Sequence, residues 1–172
     1  MSNVWFCSDL HLGHKNIGKV RTPLVNSTEE NNNRIISDWE NHVTRRDDVY
    51  VLGDWCFDMS LVERLQQLPA RAKYLVRGNH DMFDIGVYTK CFDDVFGLKK
   101  YKEFWLSHAP IHPDELRGKV NLHGHVHYAT IRDTEGYFDK RYFNCCPENL
   151  WPMYRRCLVS LDEVREHYAT HR

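Results

Sequence analysis

Three short runs of almost unbroken apolar residues, Val4 to Cys7, Val49 to Leu52 and Tyr74 to Val76, each give way at once to a turn that carries a carboxylate, an amide or an imidazole. Runs this short and this apolar, bounded by turn residues, read as strands buried on both faces. Helical spacing fills the gaps between them. Ser27-Thr28-Glu29-Glu30 has the Ser-x-x-Glu form of a capping box, and Ile35, Ile36, Trp39 and Val43 recur behind it at helical intervals. Ser60-Leu61-Val62-Glu63 repeats the box ahead of Leu65 and Leu68, with Pro69 closing the helix, and Ser160-Leu161-Asp162-Glu163 opens a last one. The first half thus reads β-loop-α-β-α-β, the pattern of a parallel sheet with right-handed crossovers.

The second half changes character. Val95 to Lys99, Glu103 to Ser107, Val120 to His123, Ala129 to Ile131, Tyr137 to Asp139 and Arg141 to Asn144 are short strand candidates, with Asp133-Thr134-Glu135-Gly136 as a hairpin turn. A second sheet packed on the first accommodates both halves. The expected fold is α/β, a layered β-sandwich of mixed sheets flanked by helices. No linker or repeat interrupts the 172 residues, so one domain over 1–172 is expected, long enough to bury roughly two-thirds of its unfolded surface.

Composition sets mild bounds. With 23 Lys plus Arg against 24 Asp plus Glu, the formal charge of −1 argues against a surface built to hold long duplex nucleic acid, and leaves a short nucleotide open. No apolar stretch approaches the ~20 residues of a transmembrane helix, and Met1-Ser2-Asn3 leads straight into a strand-like run, so a cytoplasmic location is expected. Cys7, Cys56, Cys91, Cys145, Cys146 and Cys157 show no Cys-x-x-Cys spacing and read as buried free thiols.

Chemistry concentrates in five short motifs: Asp9-Leu10-His11, Gly53-Asp54, Gly78-Asn79-His80-Asp81, Ser107-His108 and Gly124-His125-Val126-His127. All but the last directly follow a short apolar run and would sit at a strand's C-terminal end, the edge where open α/β sheets bind ligands. On an extended segment, side chains two apart point the same way, so Asp9 with His11, or His125 with His127, could share one cation. Gly78 frees the backbone, Asn79 offers a neutral carbonyl oxygen, and His80 can move protons. Taken singly, Asp-x-His, Gly-Asp and Ser-His are ordinary turns; three histidines at 123, 125 and 127 beside Gly124 are harder to explain by packing.

The ordered set resembles the calcineurin-like metallophosphoesterases, whose pattern of Asp-x-His, Gly-Asp, Gly-Asn-His-Asp/Glu, a lone His and Gly-His-x-His it matches from Asp9 to His127. It looks closest to short, single-domain bacterial and phage members, with their opening matched by Ser8 to Ile17 followed by Arg21 and Pro23, and their tail by Val159 to Glu163. The resemblance implies a two-metal phosphoesterase. Asp9, His11 and His127 would hold one ion, Asn79, His108 and His125 the other, and Asp54 would bridge them. His80 would be the catalytic imidazole, and His14, Asn16 and Arg77 candidate substrate contacts.

Nitrogen and oxygen donors without thiolate suit two divalent transition ions, manganese first, with iron, zinc, cobalt or nickel able to replace it, better than magnesium. Such a pair ~3.5–4 Å apart acidifies water and clamps phosphate oxygens. The expected substrate is a phosphodiester or phosphomonoester, nucleotide-derived among the options. A nuclease acting on short or single-stranded nucleic acid is the alternative. An inert scaffold of the same fold should have lost some of these residues, and all are present.

Trp55, Phe57 and Tyr128 flank the motifs and could stack on a base, although a core role is the plainer reading. Pro147 to Arg156 matches no pattern and reads as a loop particular to this chain. His42, His167 and His171 fall on helical or terminal stretches and read as exposed.

Overall fold

Alternation along three parallel strands builds the centre of the protein. In β1 (Val4–Cys7), β2 (Asp48–Val51) and β3 (Ala72–Val76), Trp5, Cys7, Val49, Val51 and Leu75 enter one apolar cluster while Phe6, Tyr50, Leu52 and Val76, from these strands and the residue after β2, enter another. Successive side chains on a strand point to opposite faces, so a strand apolar at every position must be covered twice. Helices cover one face: Ile35 and Trp39 of α2 (Thr28–His42), Leu65 of α3 (Val62–Gln66) and Tyr88 of α4 (Ile85–Cys91) complete the first cluster. A second sheet covers the other, contributing Phe104, Leu106, Leu122 and Phe143. The structure, a computed structural model, describes residues 2–170; His171 lies outside them.

The first sheet has the order β4-β3-β2-β1-β9. Strands β1 to β4 (Asp94–Phe96) are parallel, and β9 (Val159–Ser160) runs antiparallel to β1. The second has the order β5-β6-β7-β8. Here β5 (Leu98–Tyr101) is antiparallel to β6 (Phe104–Ser107), while β6, β7 (Val120–His123) and β8 (Tyr142–Asn144) are parallel. A short α1 (Ile17–Val20), then α5 (Pro147–Tyr154) and α6 (Leu161–Thr170), complete the fold. Both sheets are mixed and helix-flanked, as expected. Among the described residues, no helix is long and apolar enough to cross a membrane.

Four local expectations are corrected. Val95 to Lys99 is not one strand: the chain leaves the first sheet after Phe96 and enters the second at Leu98, with Gly97 between. The segments Ala129 to Ile131 and Tyr137 to Asp139 form no ladder; a single bridge pairs Arg132 with Phe138 around a turn closed by Gly136 N–H to Asp133 O at 3.1 Å. Pro147 to Arg156 is largely helix, with Pro147 in the first turn where its missing N–H costs nothing. His167 is half-buried, its ring edge-on to Phe143 at 5.3 Å; His42 is exposed. All six cysteines are buried free thiols.

The three capping boxes fare differently. At α6 the exchange is complete: Ser160 Oγ accepts from Glu163 N at 3.2 Å and Glu163 Oε2 accepts from Ser160 N at 2.9 Å. At α2, Ser27 Oγ accepts from Glu30 N at 3.0 Å, but the Glu30 carboxylate reaches back to Asn26 N. Ser60 is no cap, because Asp58 takes that role for a 3-10 turn over Met59–Leu61, accepting from Ser60 N at 2.9 Å. We expect Ser160→Ala to lower unfolding free energy by about 1 kcal/mol and the exposed Ser60→Ala to change it by less than about 0.5 kcal/mol, measured by urea denaturation.

Candidate metal centre

Register brings the motifs to one edge. Cys7 pairs with Val51 and Val51 with Leu75, so the chain leaves β1, β2 and β3 side by side toward Asp9, Asp54 and Asn79. In the second sheet β6 and β7 end together at Ser107 and His123, delivering His108 and the Gly124 loop. The last motif therefore also follows a strand. Within each edge the loops are tied by backbone, with Asp9 N–H donating to Gly53 O at 2.9 Å and His11 N–H to Asp54 O at 3.0 Å in the first sheet and Gly124 N–H to His108 O at 2.8 Å in the second, and Ser8 N–H donating to Cys145 O at 3.1 Å joins the two.

Eight described non-glycine residues have positive φ, and five of them are Asp9, His11, Asp54, His125 and His127. Left-handed backbone costs an L-residue on the order of 1 kcal/mol or more and survives only where surrounding structure imposes it. Here it turns the chain sharply after a strand, so that ligand-type side chains face one another.

Two groups of donor atoms result. In the first, His11 Nε2 lies 3.5 Å and His127 Nε2 3.7 Å from Asp9 Oδ1. In the second, Asn79 Oδ1 lies 2.8 Å from His108 Nε2 and 3.0 Å from His125 Nδ1. Asp54 stands between them, Oδ2 at 3.6 Å from His11 Nε2 and Oδ1 at 3.6 Å from His108 Nε2. Asp9 Oδ1 and both ring nitrogens of His11 are buried without a hydrogen-bond partner. Orphaned buried polar atoms are costly, and a cation between Asp9 Oδ1 and His11 Nε2 would satisfy both, so the donor set fits metal. All seven residues expected as ligands are brought together.

Burial works against ionisation of Asp9. The neighbouring imidazoles of His11 and His108, with hydrogen bonds from Ser8 Oγ at 2.5 Å and His125 N–H at 2.8 Å, nevertheless hold its carboxyl below the usual carboxylate range. The Cys146 thiol, 3.3 Å from the same Oδ2, completes that oxygen's contacts and leaves Oδ1 open.

Asp81 ties loops together. Its carboxylate is buried and accepts from Asp54 N at 2.9 Å, Trp55 N at 2.9 Å and Gly78 N at 2.7 Å, stapling two motif loops to each other. Fully buried Arg21 donates to the carbonyls of Asp9 and Leu10, to Asn31 Oδ1 and to Glu148 Oε1, holding the first motif in its left-handed course. Glu148, which sequence reasoning missed, also meets His127 Nδ1 at 2.9 Å and pulls that imidazole's pKa upward. Nothing in the local pattern around Pro147 marks it.

His80 is exposed beside the cluster. Its N–H donates to Asp54 Oδ1 at 2.8 Å, and its ring lies 6.0 Å from His11 and 5.4 Å from Phe57. Phe57 stacks on His11 at 5.2 Å and meets His14 edge-on at 4.9 Å, so it and His14 wall the mouth. Asn16 is exposed at the start of α1, and Arg77 braces the His80 loop through Nε to Asp81 O at 2.9 Å. Trp55 is core, against Phe92 at 4.9 Å, and Tyr128 is half exposed. Asn144 pins the last motif, donating to His127 O at 2.8 Å.

Gly78 and Gly124 are among the motif glycines required by proximity. A Cβ on Gly124 would fall onto Ser8 Oγ and Asp9 Oδ2; one on Gly78 would fall onto Asp54 Oδ1 and 2.6 Å from Asp54 N. We expect Gly78→Ala to destabilise the protein by about 1–3 kcal/mol, as overpacking does, and to weaken Mn²⁺ binding in equilibrium dialysis. Unchanged stability and metal uptake would contradict the packing described.

A family model described as calcineurin-like phosphoesterase matches residues 2–162. The Gene 66 protein of Mycobacterium phage L5 is 29% identical over 168 residues, an alignment spanning 76% of this chain and 80% of that protein. An uncharacterized protein of Methanocaldococcus jannaschii is 30% identical over 134 residues, 74% of this chain and 70% of its own. The crystal structure of a protein of unknown function from Aquifex aeolicus is similar in fold, with a TM-score of 0.74 over 97% of this chain and 100% of that one at 24% identity. The match over 2–162, with ordered motifs converging on one metal-fitting cluster, places the chain in the calcineurin-like phosphoesterase family.

Proposed function

We propose that the chain is a two-metal phosphoesterase that hydrolyses a small phosphodiester or phosphomonoester, nucleotide-derived among the candidates, with water as nucleophile. The observation that carries this reading is Asp54, whose two oxygens face two separate donor groups across one carboxylate. Asp9, His11 and His127 are assigned to one ion, and Asn79, His108 and His125 to the other. Bound there, divalent ions would supply Lewis acidity toward phosphate oxygens and lower the pKa of water. The nitrogen and oxygen donors favour Mn²⁺ or a neighbouring transition ion.

His80 is assigned to the leaving group. Its amide is anchored on Asp54 while its ring stays exposed beside the first donor group, so it can meet a departing alkoxide without displacing a ligand. Proton donation or charge stabilisation by a positioned imidazole is worth ~10²–10⁴-fold in rate, about 2.7–5.5 kcal/mol. Of the expected substrate contacts, His14 has the best support, 5.6 Å from the His11 ring; Arg77 has its Nε engaged by the fold. The formal charge of −1 favours a small ester over long nucleic acid.

His80→Ala should lower turnover of an aryl phosphodiester by ~10²–10⁴-fold with metal content retained; near-normal turnover in the fully loaded variant would remove His80 from the mechanism. Chelation and Asp54→Asn should each abolish activity, and activity surviving both would overturn the two-metal reading. Across phosphomonoesters, linear diesters and cyclic nucleotides in Mn²⁺, KM should respond weakly to salt, whereas a steep loss of binding would move the assignment to a nuclease.

A further inference from the structure

We propose that Glu148, locked against Arg21, is a positioning residue of the metal centre: it fixes the His127 ring with Nε2 toward Asp9 and sets how tightly that half of the centre holds its ion. The proposal rests on the two-ion assignment above and concerns a residue outside the five motifs.

Glu148 sits in the first turn of α5, 3% exposed, in a segment without sequence pattern. Its Oε1 meets both His127 Nδ1 at 2.9 Å and Arg21 Nε at 2.8 Å, while Oε2 is buried without a hydrogen-bond partner. A buried ion pair is a weak source of stability, since two well-packed apolar side chains often serve as well. The contact that apolar residues could not replace is the one to His127.

The backbone of His127 is already fixed. Its φ is +50°, and its carbonyl accepts from Asn144 Nδ2 at 2.8 Å and Asn149 Nδ2 at 2.7 Å. What remains is the ring. With Nδ1 committed to Glu148, Nε2 is left to point at Asp9 Oδ1, 3.7 Å away. A carboxylate behind a ligating imidazole fixes its tautomer and makes it a stronger donor, and losing such a partner typically costs ~10–100-fold in metal affinity.

The other half of the centre is supported differently. His108 turns Nδ1 to the neutral carbonyl of Leu52 at 2.9 Å, and His125 is exposed and uses Nδ1 inward. Only the first donor group has a carboxylate behind its imidazole, so removing that charge should be felt on one side. His127, Cys146 and Glu148 also lie close enough to hold a cation by themselves. However, Nδ1 is taken by Glu148 and the Cys146 thiol is directed at Asp9 Oδ2, so the arrangement orients a ligand instead of forming a third site.

The test is Mn²⁺ titration of the metal-free protein, with free ion counted by electron paramagnetic resonance, for the native chain, Glu148→Gln and Glu148→Asp. Gln keeps the shape and loses the charge; Asp keeps the charge but withdraws it from His127 and Arg21 alike by one methylene. We expect two ions per native chain, and in each folded variant a ~10–100-fold weakening confined to one class, the other moving less than threefold. Affinities within threefold of native in a folded variant, or equal losses in both classes, would overturn the role. Should neither variant fold, the Zn²⁺-loaded native protein decides by NMR: a slowly exchanging downfield Nδ1–H signal from His127 supports the proposal, and its absence sinks it. Fewer than two ions in the native chain would instead defeat the two-ion reading itself.

Discussion

The carboxylate of Asp9 is the point on which the two sheets and the site converge. It leaves the end of β1 fully buried, and one oxygen is consumed by Ser8 Oγ, the amide of His125 and the Cys146 thiol. The contacts from His125 and Cys146 join the first sheet to the loop after β7 and to the start of α5. The Arg21 guanidinium takes the backbone carbonyl of the same residue. A buried charge is tolerated only when its hydrogen-bonding capacity is met, so the fold has arranged itself around this one group. The oxygen it leaves unmet is the one that faces His11 and His127.

The buried charges around Asp9 converge on the same cluster. Asp9, Asp54, Asp81 and Glu148 are all at most 3% exposed within this edge, and the buried Arg21 guanidinium pairs with Glu148 and takes the Asp9 carbonyl. Amide donors satisfy Asp81, and Arg21 with His127 satisfies one oxygen of Glu148. Asp9 and Asp54 keep oxygens directed at imidazoles, a concentration of negative charge and nitrogen lone pairs that cations neutralise well. Left-handed backbone at five of the participating residues is the local cost of that arrangement, and the staples from Asp81 and Arg21 hold the strained loops in place.

Much of this was legible in the chain. Strands buried on both faces showed as Val4 to Cys7 and Val49 to Leu52, and the ordered motifs named all seven residues that converge. The reciprocal cap at Ser160 and Glu163 was read correctly, whereas the box at Ser60 was displaced by Asp58, which competes for the same amide. Val95 to Lys99 misled because apolar spacing marks extended backbone without saying which sheet receives it. Pro147 to Tyr154 was missed because a helix of eight residues with a second proline at 152 carries little periodicity.

The sequence by itself pointed to the family, through the order of its five motifs, and to the layered fold, because strand and turn patterns depend on residue identity at fixed spacing. Only the tertiary structure decided which atoms face which: that Asp54 points one oxygen to each donor group, that Asp81 staples loops, and that Glu148 stands behind His127. These contacts join residues separated by 21 to 54 positions, and no local pattern encodes them. They follow from closing two sheets on one edge, where every buried charge must find a partner.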